Sequence, residues 1–188
     1  SAGFVYTPQI SQSAGWNYDM AAMALMGFTT TSDVTKADAA IGAMKLDSAA
    51  KTAVKNGLPY IGYSYAVASS ASDLISGATY TELDGAMDCL TPVVYPNKTL
   101  VNASYVLDGD DNLYAHGLGF FSKVPSGATV LVKSDKSRTP TEGFIPTNTA
   151  ERAAGFKAYL NGGVQGFAYK ENGMNVVLFA NSLTHKVH

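Results

Sequence analysis

Cysteine is almost missing from this 188-residue chain: Cys89 is the only one, so no internal disulfide can staple the fold, and cysteine usage leaves the compartment open. Nothing in Met87, Asp88 and Leu90 around it would depress a thiol pKa, so Cys89 reads as a buried apolar thiol rather than a nucleophile. Charge is scarce too. Asp, Glu, Lys and Arg make up 15% of the residues, against about 25% in typical soluble domains, and Ser, Thr, Asn, Gly and Tyr fill the difference. With 13 basic residues against 15 acidic ones and no basic stripe, neither nucleic acid nor an anionic membrane surface is expected as the main partner. No apolar run approaches the roughly 18 residues that span a bilayer, and Ser1 to Gly3 has neither the basic start nor the apolar core of a signal peptide. The uncharged polar surface points to an exported protein, extracellular or at the cell surface. Residues 1–188 read as one domain, excised from something longer.

What is present is organised around the stretch from Leu58 to Ser76, LPYIGYSYAVASSASDLIS. An apolar run rich in strand-formers, Leu58 to Tyr63, leads at once into an Ala/Ser/Val/Leu segment without a breaker until Gly77, which reads as strand, sharp turn and helix. At the turn, Gly62-Tyr63-Ser64-Tyr65-Ala66 is a variant of the G-x-S-x-G elbow, in which small flanking residues let a side chain stand exposed above a sheet. Ser64 is therefore the candidate nucleophile position, with strained or left-handed backbone and a concave pocket in front of it. Tyr63 and Tyr65 would flank that cleft and bind a ligand. The alternative is that Gly62 and Ala66 only permit close strand-to-helix packing.

Before this stretch, Gly3 to Thr7 reads as a strand and Asn17 to Met26 as a helix with Met20, Met23 and Ala24 on a core face. Phe28 to Val34 and Ala39 to Met44 are candidate strands, and Asp47 is placed to cap a helix from Ser48 to Lys55 that closes on Asn56-Gly57. Alternating strands and helices predict a parallel sheet covered on both faces. Beyond Gly77 the pattern loosens. Residues 78–88 are of mixed character, Thr91 to Pro96 is extended, and Asp108-Gly109-Asp110-Asp111-Asn112 starts like a calcium loop but has Leu113 and Gly119 where glycine and glutamate are needed. It reads as a solvated turn, and neither a metal nor a cofactor is expected. Ala128 to Lys133 is a strand with Val130 and Val132 set against Thr129, Leu131 and Lys133. Asn148 and Glu151 box the start of a helix over Thr149 to Leu160, and Val164 to Lys170 and Met174 to Ala180 form a hairpin across Glu171-Asn172-Gly173.

With those elements placed, the chain resembles the class I glutamine amidotransferase-like domains. Pro59-Tyr60-Ile61-Gly62-Tyr63-Ser64-Tyr65-Ala66 looks like the family's P-x-x-G-x-C-x-G elbow, and Gly173 to Phe179 like its G-x-x-V-V-L-F strand. More narrowly, Gly15-Trp16, Phe120 to Ala128 and the last strand look like the domain of this kind appended to secreted M14 zinc carboxypeptidases and other bacterial surface proteins. The resemblance implies a flavodoxin-like three-layer α/β sandwich, mostly parallel, with a C-terminal antiparallel hairpin. It also implies a neighbouring domain of the same polypeptide, a peptidase first among the candidates.

The departures bear on function. Ser64 replaces the thiol that a glutaminase needs, Ser182 stands where the family's histidine belongs, and Thr184 takes the glutamate's place. His185 and His116 are the remaining candidate bases, neither with an identifiable carboxylate to orient it. Two readings follow: a non-catalytic, degenerate binding or accessory module, with a small ligand or cell-wall component as its partner, or a serine hydrolase of an ester or amide such as a cell-wall peptide, using Ser64. An intracellular glutaminase is disfavoured by the missing Cys and His-x-Glu.

Overall fold

A computed structural model describes residues 3–6, 27–82, 90–96, 114–116, 119–137 and 157–180. Eleven strands among them form one sheet: β1 (Phe4–Tyr6), β2 (Thr29–Thr31), β3 (Ala39–Gly42), β4 (Tyr60–Tyr63), β5 (Thr79–Glu82), β6 (Leu90–Val94), β7 (Tyr114–His116), β8 (Gly119–Lys123), β9 (Thr129–Ser134), β10 (Val164–Tyr169) and β11 (Val176–Phe179). The α-helices among the described residues are α1 (Ser48–Lys55), α2 (Tyr65–Ser69) and α3 (Ala71–Leu74), with a helical turn at 157–160 and a 3-10 turn at Val34–Lys36. The predicted helix over Asn17 to Met26, most of the one over Thr149 to Leu160, and the Asp108 to Asn112 turn lie outside the described residues.

Five strands run parallel in the order β2, β1, β3, β4, β11, which is the flavodoxin-like arrangement with β4 held inside the sheet. β10 pairs antiparallel with β11 through the expected hairpin, and the chain turns at Asn172 and Gly173, both at positive φ, with the Met174 N–H donating to the Glu171 carbonyl. That is the mirror-image turn whose twist matches two antiparallel strands, and it explains the Asn-Gly pair. The antiparallel part is larger than the hairpin. β10 also pairs with β9 and, at Val164, with β8, while β6 links β9 to β7. β5 and β8, which the sequence left in an irregular middle, pair with each other.

Local signals account for the elements they bound. Asp47 caps α1, its carboxylate accepting the Ala50 N–H at 2.8 Å, and the helix ends with Gly57 at φ 113°, where the Leu58 and Gly57 N–H groups return to the Ala53 and Val54 carbonyls. β9 departs from its predicted alternation. Leu131 and Val132 are both buried, because the register between β9 and β10 shifts at Leu131 and at Gln165, and each bulge turns one extra residue onto a face out of step. The segment after Ser64 is two short helices rather than one, with the Ser70 hydroxyl bonded back to the Ala66 and Val67 carbonyls at the break.

The main core lies where α1, α2 and α3 cover the sheet, with Val54, Val67, Ile75, Phe167 and Leu178 among its buried members. Phe121 meets Phe167 edge to face at 4.9 Å on that side, while its neighbour Phe120 points the other way against Tyr159 of the 157–160 turn. The 157–160 turn therefore lies on the face opposite α1, α2 and α3. Asp47 also joins this core to the first strand, since the Tyr6 hydroxyl donates to its second oxygen at 3.1 Å. Asp47→Ala is expected to destabilise the domain by about 1 to 2 kcal/mol through loss of the cap and that bond. Asp47→Asn keeps an acceptor for the cap and should cost less, as read from urea denaturation midpoints at constant slope.

Candidate functional site

The sheet brings the end of β3 beside the end of β4, and the candidate elbow sits at that junction. β3 and β4 are parallel neighbours in register, Gly42 opposite Gly62, so the residue after each strand emerges at the same edge. The residue after Gly42 is Ala43, and its carbonyl accepts the Ser64 hydroxyl proton. The same Ser64 oxygen accepts the Val67 N–H at 3.1 Å, which makes Ser64 the N-cap of α2. Ser64 is only 2% exposed. Its backbone, at φ −171° and ψ 168°, is ordinary extended chain. The expectation of a strained, exposed serine facing a concave pocket therefore fails: a hydroxyl at a strand-to-helix junction has two nearby backbone groups to satisfy, and burial makes both bonds necessary.

The flanking tyrosines divide. Tyr63 is buried at 3% and Tyr65 is 52% exposed, so they do not line one cleft. Successive strand residues point to opposite faces, and the helix start then turns Tyr65 outward. Gly62 is explained by crowding rather than by access to a nucleophile. A Cβ there would come within 2.5 Å of the Tyr60 hydroxyl and 2.6 Å of a Val67 methyl.

Of the candidate bases, His185 lies outside the described residues, as do Ser182, Thr184 and Cys89. His116 is in β7, paired with Leu90 of β6. Along the sheet, β7 is separated from β4 by β11, β10, β9 and β6. Among the described residues no group of three His, Cys, Asp or Glu side chains is placed to hold a metal ion, and no helix is long and apolar enough to cross a membrane. Two buried polar side chains gave no signal in the sequence, and both are structural. Ser134 donates to the Tyr159 carbonyl and accepts the Gly162 N–H at 2.9 Å, and Gln165 donates to the Gly119 carbonyl at 3.2 Å.

Ser64→Ala should destabilise the domain by about 1 to 3 kcal/mol, since it removes the cap and strands the Ala43 carbonyl. Gly62→Ala should cost about 1 to 3 kcal/mol by overpacking Tyr60 and Val67; a neutral result in thermal unfolding would contradict this packing. Burial pushes the Tyr60 phenol well above its ordinary range. Below about pH 10 the phenol is neutral in both folded and unfolded chains, and above it only the unfolded chain ionises freely. The stabilisation is thus complete below pH 10 and is lost as pH rises, by up to about 1.4 kcal/mol per pH unit. In Tyr60→Phe, the alkaline decline of the unfolding free energy should be shallower.

Neither a protein-family model nor a curated protein matches this sequence. Solved structures do resemble it. A protein from Thermoplasma acidophilum assigned as part of a GMP synthase aligns over 99% of this chain and 86% of its own, with a TM-score of 0.57 at 9% identity. A glutamine amidotransferase from Thermotoga maritima aligns over 98% and 77%, with a TM-score of 0.56 at 10% identity. Another from Methylobacillus flagellatus aligns over 98% and 70%, with a TM-score of 0.50 at 15% identity. At such identities the likeness concerns the backbone path alone, and what it establishes is that this chain has the glutamine amidotransferase-like fold.

Proposed function

We propose that this chain is a non-catalytic, degenerate amidotransferase-like module with a binding or accessory role in a secreted or cell-surface bacterial protein. The observation that carries the reading is the bonding of Ser64. A nucleophilic serine must pass its proton to a base while its oxygen approaches an acyl carbon. Here the proton is committed to the Ala43 carbonyl, which cannot take it up, and the oxygen is buried. A positioned base is worth about 100- to 10,000-fold in rate, and the family's places for one hold Ser182 and Thr184.

The extracellular part of the reading is supported by the low charge, 15% of residues, and by the likeness of Gly15-Trp16, Phe120 to Ala128 and the last strand to domains appended to M14 zinc carboxypeptidases. On that basis the partner is a neighbouring domain of the same polypeptide, with a peptidase as the first candidate.

The deciding experiment treats the protein and its Ser64→Ala variant with a fluorophosphonate probe, alongside a glutaminase assay. No labelling above the variant and no ammonia release are expected. Stoichiometric labelling that depends on Ser64 would overturn the non-catalytic reading and establish a serine hydrolase in its place.

A further inference from the structure

The pair asparagine–glycine occurs three times in this chain, at Asn56-Gly57, Asn161-Gly162 and Asn172-Gly173. In such a pair the asparagine carboxamide is open to attack by the next backbone nitrogen, because glycine has no side chain to shield that nitrogen or to restrict its approach. All three asparagines are exposed, so access of water does not separate them. What separates them is the state of the attacking nitrogen.

Gly57 donates its N–H to the Val54 carbonyl at 3.1 Å where α1 is capped, and the Asn56 and Leu58 N–H groups on either side are bonded into the same helix end. Gly162 donates to the buried Ser134 hydroxyl at 2.9 Å, with the Asn161 and Gly163 N–H groups tied to carbonyls of the 157–160 turn. Gly173 differs from both. It is exposed, its N–H has no hydrogen-bond partner among the described residues, and a Cβ placed on it would meet nothing within 4 Å. Attack requires rotation about the Asn172 Cα–C bond. Two hydrogen bonds resist that rotation, from the Met174 N–H to the Glu171 carbonyl at 3.0 Å and from the Asn172 Nδ2 to the Tyr169 hydroxyl at 2.8 Å, and both lie at an exposed loop tip, where local opening is easiest.

We propose that Asn172 is a site of self-modification. The Gly173 nitrogen attacks the Asn172 Cγ and loses its proton to hydroxide, the new N–C bond closes a succinimide ring, and the Cγ–Nδ2 bond breaks as Nδ2 takes a proton from water and leaves as ammonia. Water then opens the ring at either carbonyl, so that asparagine and water become aspartate or isoaspartate and ammonia. The product places a negative charge beside Glu171, and isoaspartate carries the main chain through its Cβ, a lengthening that the tight mirror-image turn between β10 and β11 does not accommodate.

The test incubates the whole chain in mildly alkaline buffer, folded and, in parallel, unfolded in guanidinium, and follows the peptide around each pair by mass spectrometry for replacement of NH by O. In the unfolded chain the three pairs should convert at similar rates, since glycine follows each asparagine. In the folded chain Asn172 should convert at least about tenfold faster than Asn56 or Asn161, whose glycine nitrogens must first give up a hydrogen bond together with the turn around it. Isoaspartate should appear among the products at position 172. Conversion of Asn56 or Asn161 as fast as Asn172 in the folded protein, no conversion of Asn172 over the period in which the unfolded chain reacts, or aspartate as the sole product would overturn the proposal.

Discussion

The parallel pairing of β4 with β3 on one side and β11 on the other is the contact from which the rest of the described fold follows. It places Ala40, Tyr60 and Val176 in one row and Gly42, Gly62 and Leu178 in the next, all on the face covered by α1 and α2. These rows mix very small and large side chains. Gly62 leaves space that the Tyr60 hydroxyl end and a Val67 methyl occupy, so a strand with no polar side chain but its tyrosines comes close to α2. The same register fixes how far β4 extends before the chain turns, and so where Ser64 stands.

Ser64 shows how a residue with the look of a nucleophile can serve purely as backbone chemistry. A strand that ends beside its parallel neighbour and passes straight into a helix exposes free N–H groups at the helix start and a free carbonyl on the neighbouring loop. One hydroxyl answers both, donating to Ala43 and accepting from Val67. Such a serine is as constrained by geometry as a catalytic one would be. The sequence signature of small residues around Ser64 is the same in either case, because both need a tight turn.

How much was legible depended on the range of the interaction. The cap at Asp47, the stop at Asn56-Gly57 and the Asn172-Gly173 turn involve residues a few positions apart, and each stands where its residues indicated. The central place of β4 was also readable, from an apolar run lacking alternation. Features set by distant partners were not. Nothing local in Thr129 to Ser134 announces that the register with β10 slips at Leu131, and nothing in Gly119 to Lys123 marks a strand until Tyr80 and Phe167 are there to receive Phe121. The direction of the Ser64 hydroxyl likewise depends on a carbonyl that belongs to another strand's exit.

The partner of Tyr60 on one side is Val176, more than half the chain further on. β1, β2 and β3 can assemble with β4 from neighbouring segments, but this arrangement leaves the far edge of β4 without hydrogen bonds until β11 has been synthesised and has docked. Closing so long a loop is slow, because its entropy must be met before the contacts that reward it exist. During that interval the nascent sheet presents an unpaired, apolar strand edge of the sort that recruits other chains. The tight Asn-Gly turn bears on that search, because it makes the β10–β11 pairing local in sequence while the β4–β11 pairing is not, and local pairs close with the smaller loop entropy.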